Sequence, residues 1–183
     1  MCIFIHEPYI FTVMQLSLMD SLENEKYTQP ENLQNALKSI PQIKLTYTTG
    51  SPINSFIKIC SSKDCADALR ESWDADKIEF IEQFKILLLN RGNRLLGIYE
   101  VSTGGITGTV VDIKLILSAA LLSCASGIIL AHNHPSGNLQ PSAADKVATK
   151  KIKEAARLMD IEVLDHLILT ADGFYSFADD GEI

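Results

Sequence analysis

The spacing of apolar and polar residues is most regular in the second half of the chain. Residues 84–89 form an almost unbroken apolar run, which is typical of a strand covered on both faces. Residues 127–134 have the same character and predict a second buried strand. Between them, residues 90–93 predict a hairpin turn, and 94–102 predict the strand that returns from it.

Three helices are predicted downstream of residue 60. Ser61 and Ser62 cap a helix over 63–73, Asp112 is a good N-cap for a helix that runs to residue 125, and 141–159 has an amphipathic pattern. A short helix is also predicted over 29–37, and further strands are predicted at 43–48, 56–60, 106–111, 162–170 and 174–178. Strands and helices alternate irregularly, which predicts an α/β or α+β fold with a single mixed β-sheet flanked by helices.

Composition limits the number of domains and the class of protein. The chain has 183 residues, of which 46% are hydrophobic and 21% charged. That length allows one domain of roughly 120–150 residues with an appendage, and that hydrophobic fraction excludes wholesale disorder. The net charge of −7 argues against a protein that coats nucleic acid, since such domains are usually basic.

Localisation is inferred from the cysteines and from the apolar N-terminus. No two of the four cysteines have the C-x-x-C spacing of a zinc or redox motif, which fits a reduced, cytoplasmic protein. No apolar run reaches the roughly 18 residues of a membrane helix. The first residues lack a cationic start and contain Glu7 and Pro8, so we do not interpret them as a signal peptide. An alternative is that translation starts at Met14 or Met19.

Candidate chemistry lies at the end of the second buried strand. His132 and His134 project from the same face, about 6–7 Å apart along the strand, because side chains alternate with period two. The turn after them leads into a helix whose first turn contains Asp145, within reach of the strand end. Two histidines and one carboxylate make a three-ligand zinc site with one position left for water.

Each part of this pattern also has a structural explanation. An H-x-H pair at a strand end is common without a metal, and Ser142-x-x-Asp145 is close to a helix capping box. The capping and metal-binding interpretations are compatible. Three of the four histidines lie after residue 131, and this concentration favours a metal site.

The string HNHPSGNLQPSAAD has the form H-x-H-x7-S-x-x-D, which is the motif of the JAMM (MPN+) metalloproteases. In its HNHPSG form it closely resembles the RadC-like proteins of bacteria, and the resemblance extends over roughly residues 56–183. It implies a JAMM/MPN, cytidine-deaminase-like architecture for residues 56–183, preceded by an accessory segment at 1–55. Residues 1–55 show no Gly-x-Gly hairpin of the helix-hairpin-helix module that often precedes this domain, so we expect no DNA-binding attachment there.

The resemblance also assigns roles to residues. It implies that His132, His134 and Asp145 bind zinc, and that Ser142 helps to polarise the substrate carbonyl or to steady the tetrahedral intermediate. The general base of the family matches Glu82, which the residues alone do not distinguish from Glu79 or Glu100.

The resemblance therefore predicts a zinc-dependent hydrolase of amide bonds that acts on a peptide or protein. Two alternatives remain open. One is a DNA-repair or recombination factor or a metal-dependent nuclease, and the other is a non-catalytic MPN scaffold. We expect no membrane partner and only weak binding of nucleic acid. A third histidine, His166, is expected to be structural or to support the site from behind the ligands.

Overall fold

The computed structural model describes Lys38 and residues 50–106 and 108–183. The chain divides into two compact units, Met1–Leu45 and Thr46–Ile183, and the β-sheet lies in the second. The helix predicted over 29–37 and the strand predicted over 43–48 lie outside the described residues. The predicted boundary between an accessory segment 1–55 and a domain 56–183 stays a prediction.

Three α-helices and five strands make up the described part of this second unit. The helices are α1 (Ser62–Ser72), α2 (Ile113–Leu122) and α3 (Ala143–Arg157), and a short 3-10 helix covers Ile53–Ser55. The strands are β1 (Gln83–Leu89), β2 (Leu95–Thr103), β3 (Gly127–Asn133), β4 (Glu162–Leu169) and β5 (Phe174–Ser176).

The strands form one mixed sheet in the order β2-β1-β3-β4-β5. β1 is antiparallel to both β2 and β3, and β4 is antiparallel to β5. β3 and β4 are parallel, and α3 makes the long crossover connection that a parallel pair requires. The predicted fold class, a single mixed sheet flanked by helices, is confirmed.

The central strands are buried on both faces, as their apolar sequences predict. On one face, Phe84, Ile86, Ile128 and Leu130 pack with residues of α2 and α3 such as Ile116, Ala120, Ile152 and Ala156. On the other face, the alternate residues Leu87, Leu89, Ile129 and Ala131 pack with Leu69 and other residues of α1. We call the face that carries Phe84 and Leu130 the α2/α3 face, and the opposite one the α1 face.

Two helices end earlier than predicted because a non-glycine residue takes a left-handed conformation. α2 stops at Leu122, with φ of 54° at Cys124 and a hydrogen bond of 2.9 Å from the Ala125 N–H to the Ala120 carbonyl. α3 stops at Arg157 in the same way, with φ of 54° at Asp160. These are Schellman-type ends formed without glycine, so the usual C-cap signal is missing from the sequence.

Two predicted strands are wrong. In segment 56–60 there is only an isolated bridge, Lys58 to Arg94, because the chain turns into the N-cap of α1 directly afterwards. The described residues of 106–111 form no strand, although they are rich in β-branched side chains. Ile106 and Val110 are mostly exposed, so these side chains lack the apolar cover that a buried strand has. Within the described part of the chain, no helix combines the length and apolar character that crossing a bilayer requires.

Candidate metal centre

The structure brings His132, His134 and Asp145 together at the end of β3. One ligand atom from each of these residues lies within 4.8 Å of the others. The two Nε2 atoms are 3.0 Å apart, and Asp145 carboxylate oxygens lie 3.3 Å from His132 Nε2 and 3.7 Å from His134 Nε2. Both imidazoles therefore direct the same nitrogen towards one point, and the group can hold a metal ion.

His132 is positioned by the centre of the sheet. It is 1% exposed and lies opposite Phe84 in the antiparallel register of β1 and β3. The two rings are nearly parallel, with 7° between their planes and centroids 6.1 Å apart. Because β1 and β3 are buried on both faces, the direction of the His132 ring is set before any ligand binds.

His134 lies just beyond the end of β3 and is only half-buried. Its Nδ1 donates to the backbone carbonyl of Asn138 over 2.6 Å. That bond places the proton on Nδ1 and leaves Nε2 free to bind a metal, which is the usual way a histidine ligand is oriented. A hydrogen bond to Asp145 raises the pKa of His134, and burial opposes it.

Asp145 lies in the first turn of α3 and takes part in the capping box that its spacing from Ser142 predicts. Its Oδ2 accepts the Ser142 N–H at 2.7 Å, while its own N–H donates to Ser142 Oγ at 3.1 Å. Burial opposes the charged carboxylate, but the contacts of its oxygens with His132 and His134 outweigh this effect and hold the Asp145 pKa well below its usual range. Asp145 is thus both a cap and a carboxylate directed at the histidines.

His166 on β4 lies directly behind His132. It is 0% exposed, and its Nε2 is 2.8 Å from His132 Nδ1. Its Nδ1 is 2.6 Å from the hydroxyl of Thr149, which in turn donates to the Asp145 carbonyl at 2.6 Å. Burial lowers the His166 pKa well below its ordinary value. The expectation that His166 supports the site from behind agrees with these contacts. The contact of Thr149, four residues from Asp145 on α3, was not predicted from the sequence.

Glu82 and Ser142 line the same cleft as His134 and Asp145. The cleft has a volume of about 550 Å³ and is bordered on one side by residues 108 and 109 of the loop that replaces the predicted strand. Glu82 directly precedes β1, and two backbone hydrogen bonds, with Gly104 and Gly105, fix it at 2.8 and 2.9 Å. Its negative charge also contributes to the raised pKa of His134.

Glu100, one of the two other glutamates that the sequence offers as a base, lies elsewhere. It pairs in register with Lys85, and its Oε2 is 3.7 Å from Lys85 Nζ. Lys85 lies over the ring of Trp73 and donates to the Ser72 carbonyl at the end of α1. Glu100 therefore belongs to the α1 face of the sheet, and the metal centre to the α2/α3 face.

Asn133 lies between the two histidines in sequence but faces the α1 side, where it is completely buried. Its Oδ1 accepts the Gln83 N–H at 2.7 Å, and its Nδ2 donates to the carbonyls of Ile78 and Ile81 at 2.7 and 2.9 Å. These bonds fix the segment that leads to Glu82. This role of Asn133 was not predicted, and its central position in H-N-H is the only signal of it in the sequence.

The fold and the site agree with the comparison to known families. The RadC-like JAB domain family matches residues 59–182, which include all of the candidate site. The chain belongs to this family.

Among curated proteins, the chain is 50% identical over 100 residues to a UPF0758 protein of Flavobacterium johnsoniae, and 43% identical over 101 residues to one of Porphyromonas gingivalis. Each alignment covers 55% of this chain and 44% of the relative. The UPF0758 protein YfjY of Escherichia coli is 43% identical over 100 residues, which are 55% of this chain and 62% of that protein. The chain therefore spans less than half the length of the first two relatives.

Proposed function

We propose that the chain is a zinc-dependent hydrolase of amide bonds, acting on a peptide or protein. The observation that carries this proposal is the convergence of His132, His134 and Asp145 at the edge of a cleft that His134, Asp145 and Glu82 line. A hydrolase of this kind needs three metal ligands and a separate proton acceptor beside them. The cluster His132, His134 and Asp145 would supply the ligands, and Glu82 would be the proton acceptor.

The donor set fits zinc. Two imidazole nitrogens and one carboxylate oxygen are ligands that catalytic zinc sites use, with a further position left open. Both histidines would bind through Nε2, and Asp145 would bind through the carboxylate that faces them. When bound, zinc would acidify a coordinated water and polarise an amide carbonyl.

The residues of the chain would supply the proton transfers and the positioning. Glu82 would accept the proton of the attacking water and later return it to the leaving amine, as a general base and then a general acid. The exposed hydroxyl of Ser142 would donate to the oxygen on which negative charge develops. Ser142 Oγ accepts the Asp145 N–H, and this leaves its own hydrogen free for that purpose.

The two alternative functions have less support. A non-catalytic scaffold does not require three ligand atoms within 4.8 Å of one another beside a glutamate. A nuclease or DNA-repair factor is expected to present a basic surface beside its site. The described side chains that line this cleft include the carboxylates of Glu82 and Asp145 and no lysine or arginine.

The test combines metal content with hydrolysis. The zinc-loaded protein is incubated with a library of internally quenched peptides, and the Glu82→Gln variant is compared with it. We expect the wild type to cleave members of the library, and the variant to retain zinc and lose cleavage, because a neutral amide cannot accept the proton. No cleavage by the zinc-loaded wild type would refute the proposal, and loss of zinc from Glu82→Gln would make Glu82 a ligand.

Glu100→Gln is the matched control. It makes the same chemical change on the α1 face, beside Lys85 and Gln83. We expect it to leave zinc content and cleavage rates within about threefold of the wild type. If Glu100→Gln abolishes cleavage and Glu82→Gln does not, the assignment of the base is wrong.

A further inference from the structure

The Nδ1 atom of His132 contacts a different kind of group from the Nδ1 atom of His134. His134 Nδ1 donates directly to the Asn138 carbonyl, whereas His132 Nδ1 faces another imidazole, that of His166. A neutral imidazole can donate or accept through either nitrogen, so this contact alone does not determine which nitrogen of His132 carries the proton. The position of that proton is determined by the groups on the other side of His166, which are the Thr149 hydroxyl and the Asp145 carbonyl.

The direction of each hydrogen bond follows from the Asp145 carbonyl, which is the last group in this series of contacts. The Asp145 carbonyl can only accept, so the hydrogen of the Thr149 hydroxyl is directed towards it over 2.6 Å. The Thr149 oxygen then presents a lone pair to His166 Nδ1, 2.6 Å away, and accepts its N–H. The Nε2 of neutral His166 carries a lone pair in turn, and it accepts the N–H of His132 Nδ1 at 2.8 Å. His132 Nε2 is left without a proton.

We infer that Thr149 and His166 are positioning residues that hold His132 in the tautomer able to bind a metal through Nε2. The inference rests on the proposed metal site and adds to it the residues that prepare one ligand. We call the sequence of bonds from the Asp145 carbonyl through Thr149 and His166 to His132 the tautomer relay. It also links two of the three ligands, because it begins on the backbone of Asp145 and ends on the ring of His132.

Burial allows the relay to favour one tautomer of His132 over the other. His132, Thr149 and His166 are all buried, so water is not at hand to replace a missing donor or acceptor. The opposite direction is the competing arrangement. In it, His166 donates from Nε2 to His132, the Thr149 hydroxyl donates to His166, and the proton of His132 moves to Nε2, where it blocks the metal. The Thr149 bond to the Asp145 carbonyl favours the first arrangement.

Thr149→Val removes the hydroxyl and keeps the shape of the side chain. His166 Nδ1–H then has no acceptor, so the competing tautomers of His166 and His132 become more favourable. We expect the affinity for Zn²⁺, measured by competition with a chromophoric chelator, to fall about 10–100-fold, as it does for other residues that orient a metal ligand. Thr149→Ser retains the hydroxyl, and we expect it to bind Zn²⁺ within about threefold of the wild type.

A spectroscopic measurement reports the tautomers without any variant. In zinc-loaded protein labelled with ¹⁵N-histidine, long-range ¹H–¹⁵N correlations should show His166 protonated at Nδ1 and unprotonated at Nε2, and His132 protonated at Nδ1. A proton on His166 Nε2 in that sample would overturn the inference. So would a Thr149→Val protein that is folded by circular dichroism and binds Zn²⁺ as tightly as Thr149→Ser.

These readouts separate the relay from the proposed function. If the wild type binds Zn²⁺ with these tautomers but cleaves no peptide, the relay stands and the hydrolase proposal fails. If it cleaves peptides while Thr149→Val has unchanged Zn²⁺ affinity, the relay fails and the hydrolase proposal stands. A wild type that binds no Zn²⁺ refutes both.

Discussion

The side-chain oxygen of Asn133 accepts the backbone N–H of Gln83 at 2.7 Å, and this bond joins the strand of the histidines to the residue that follows Glu82. The amide of the same side chain donates to the carbonyls of Ile78 and Ile81. Asn133 thus connects the two parts of the candidate site from the side of the sheet that faces away from it.

Replacing Asn133 should therefore affect both stability and activity. Asn133→Ala leaves the buried Gln83 N–H and two carbonyls without their partner, and each such group costs about 1–3 kcal/mol. We expect the free energy of unfolding, measured with urea, to fall by at least about 2 kcal/mol, and peptide cleavage to fall while zinc is retained.

Asn54→Ala is the control for Asn133, since Asn54 is exposed. We expect that variant to stay within about 0.5 kcal/mol of the wild type, as surface substitutions usually do. An Asn133→Ala protein as stable and as active as Asn54→Ala would show that the three hydrogen bonds do not position Glu82.

The turn after His134 depends on one glycine. Gly137 has φ of 77°, and its N–H donates to the His134 carbonyl at 3.0 Å. An added Cβ would meet no atom within 4 Å, so the cost of Gly137→Ala arises from the backbone conformation alone. We expect a loss of about 1–2 kcal/mol in the free energy of unfolding, together with weaker zinc binding, because the next residue, Asn138, carries the carbonyl that orients His134.

Gly50→Ala is the control for Gly137. It also places a Cβ in open space, but without a left-handed φ. We expect Gly50→Ala to change neither the free energy of unfolding nor the affinity for zinc measurably. Equal stability and equal zinc affinity in the two variants would mean that the turn adapts to alanine and that its geometry is not needed by His134.

Removing a ligand should remove the metal and its stabilising effect. We expect about one zinc per chain in wild-type protein purified without a chelator, and much less in His132→Ala and Asp145→Ala, as measured by elemental analysis. Because an ion that binds only the folded state stabilises it, zinc should raise the melting temperature of the wild type and not that of the variants.

Asp172→Ala serves as the control for ligand removal, because this exposed carboxylate lies outside the cluster of ligand atoms. It should retain its zinc and the full increase in melting temperature. If the wild type, reloaded with zinc, takes up none, or if His132→Ala and Asp145→Ala retain as much as Asp172→Ala, the three residues are not the ligands.

The sequence predicted the part of the site that depends on local geometry. The period of a strand places His132 and His134 on one face, and Ser142 and Asp145 are close enough in sequence to form a cap. Neither inference needs a long-range contact. The same locality explains why the central strands and the three helices after residue 60 were predicted with errors only at their ends.

The choice between Glu82 and Glu100 needed information that local patterns lack. Counting residues from the hairpin turn would assign each residue of β2 to one face of the sheet. However, the pairing of β1 with β2 shifts between Phe84 and Lys85 and again between Leu88 and Leu89. Each shift changes the residue that lies opposite a given partner. Only the resemblance to the JAMM metalloproteases favoured Glu82.

The wrong strand at 106–111 has a related cause. β-branched residues favour an extended backbone, but a strand also needs a partner edge and a covered face. Here Gly105 N–H bonds back to the Gly108 carbonyl at 3.0 Å, and Ile106 and Val110 face solvent. The segment borders the cleft as a loop, which no count of β-branched residues could indicate.

Binding of nucleic acid provides the last prediction. The net charge of the chain is −7, and the basic residues of α3 are its main positive feature. One of them, Lys146, is already paired with Glu182 at 2.6 Å. Lys150, Lys153 and Arg157 remain on the same stripe of the helix at i+3 and i+4 spacing.

Three cations of this kind can make about three phosphate contacts, which is few for specific recognition. For such a surface, a plot of the logarithm of the association constant against the logarithm of salt concentration has a slope of about −3. The dissociation constant lies in the weak range of about 10⁻⁴–10⁻⁶ M. We therefore expect fluorescence anisotropy with labelled duplex DNA at physiological salt to give an affinity in that range. Lys150→Glu with Lys153→Glu should weaken it further, while Glu82→Gln should not change it.

A submicromolar affinity that falls steeply with salt would contradict this prediction and would favour a DNA-associated function. The hydrolase proposal would survive that result only if Glu82→Gln abolished cleavage without changing DNA affinity, because the two activities would then lie on separate surfaces.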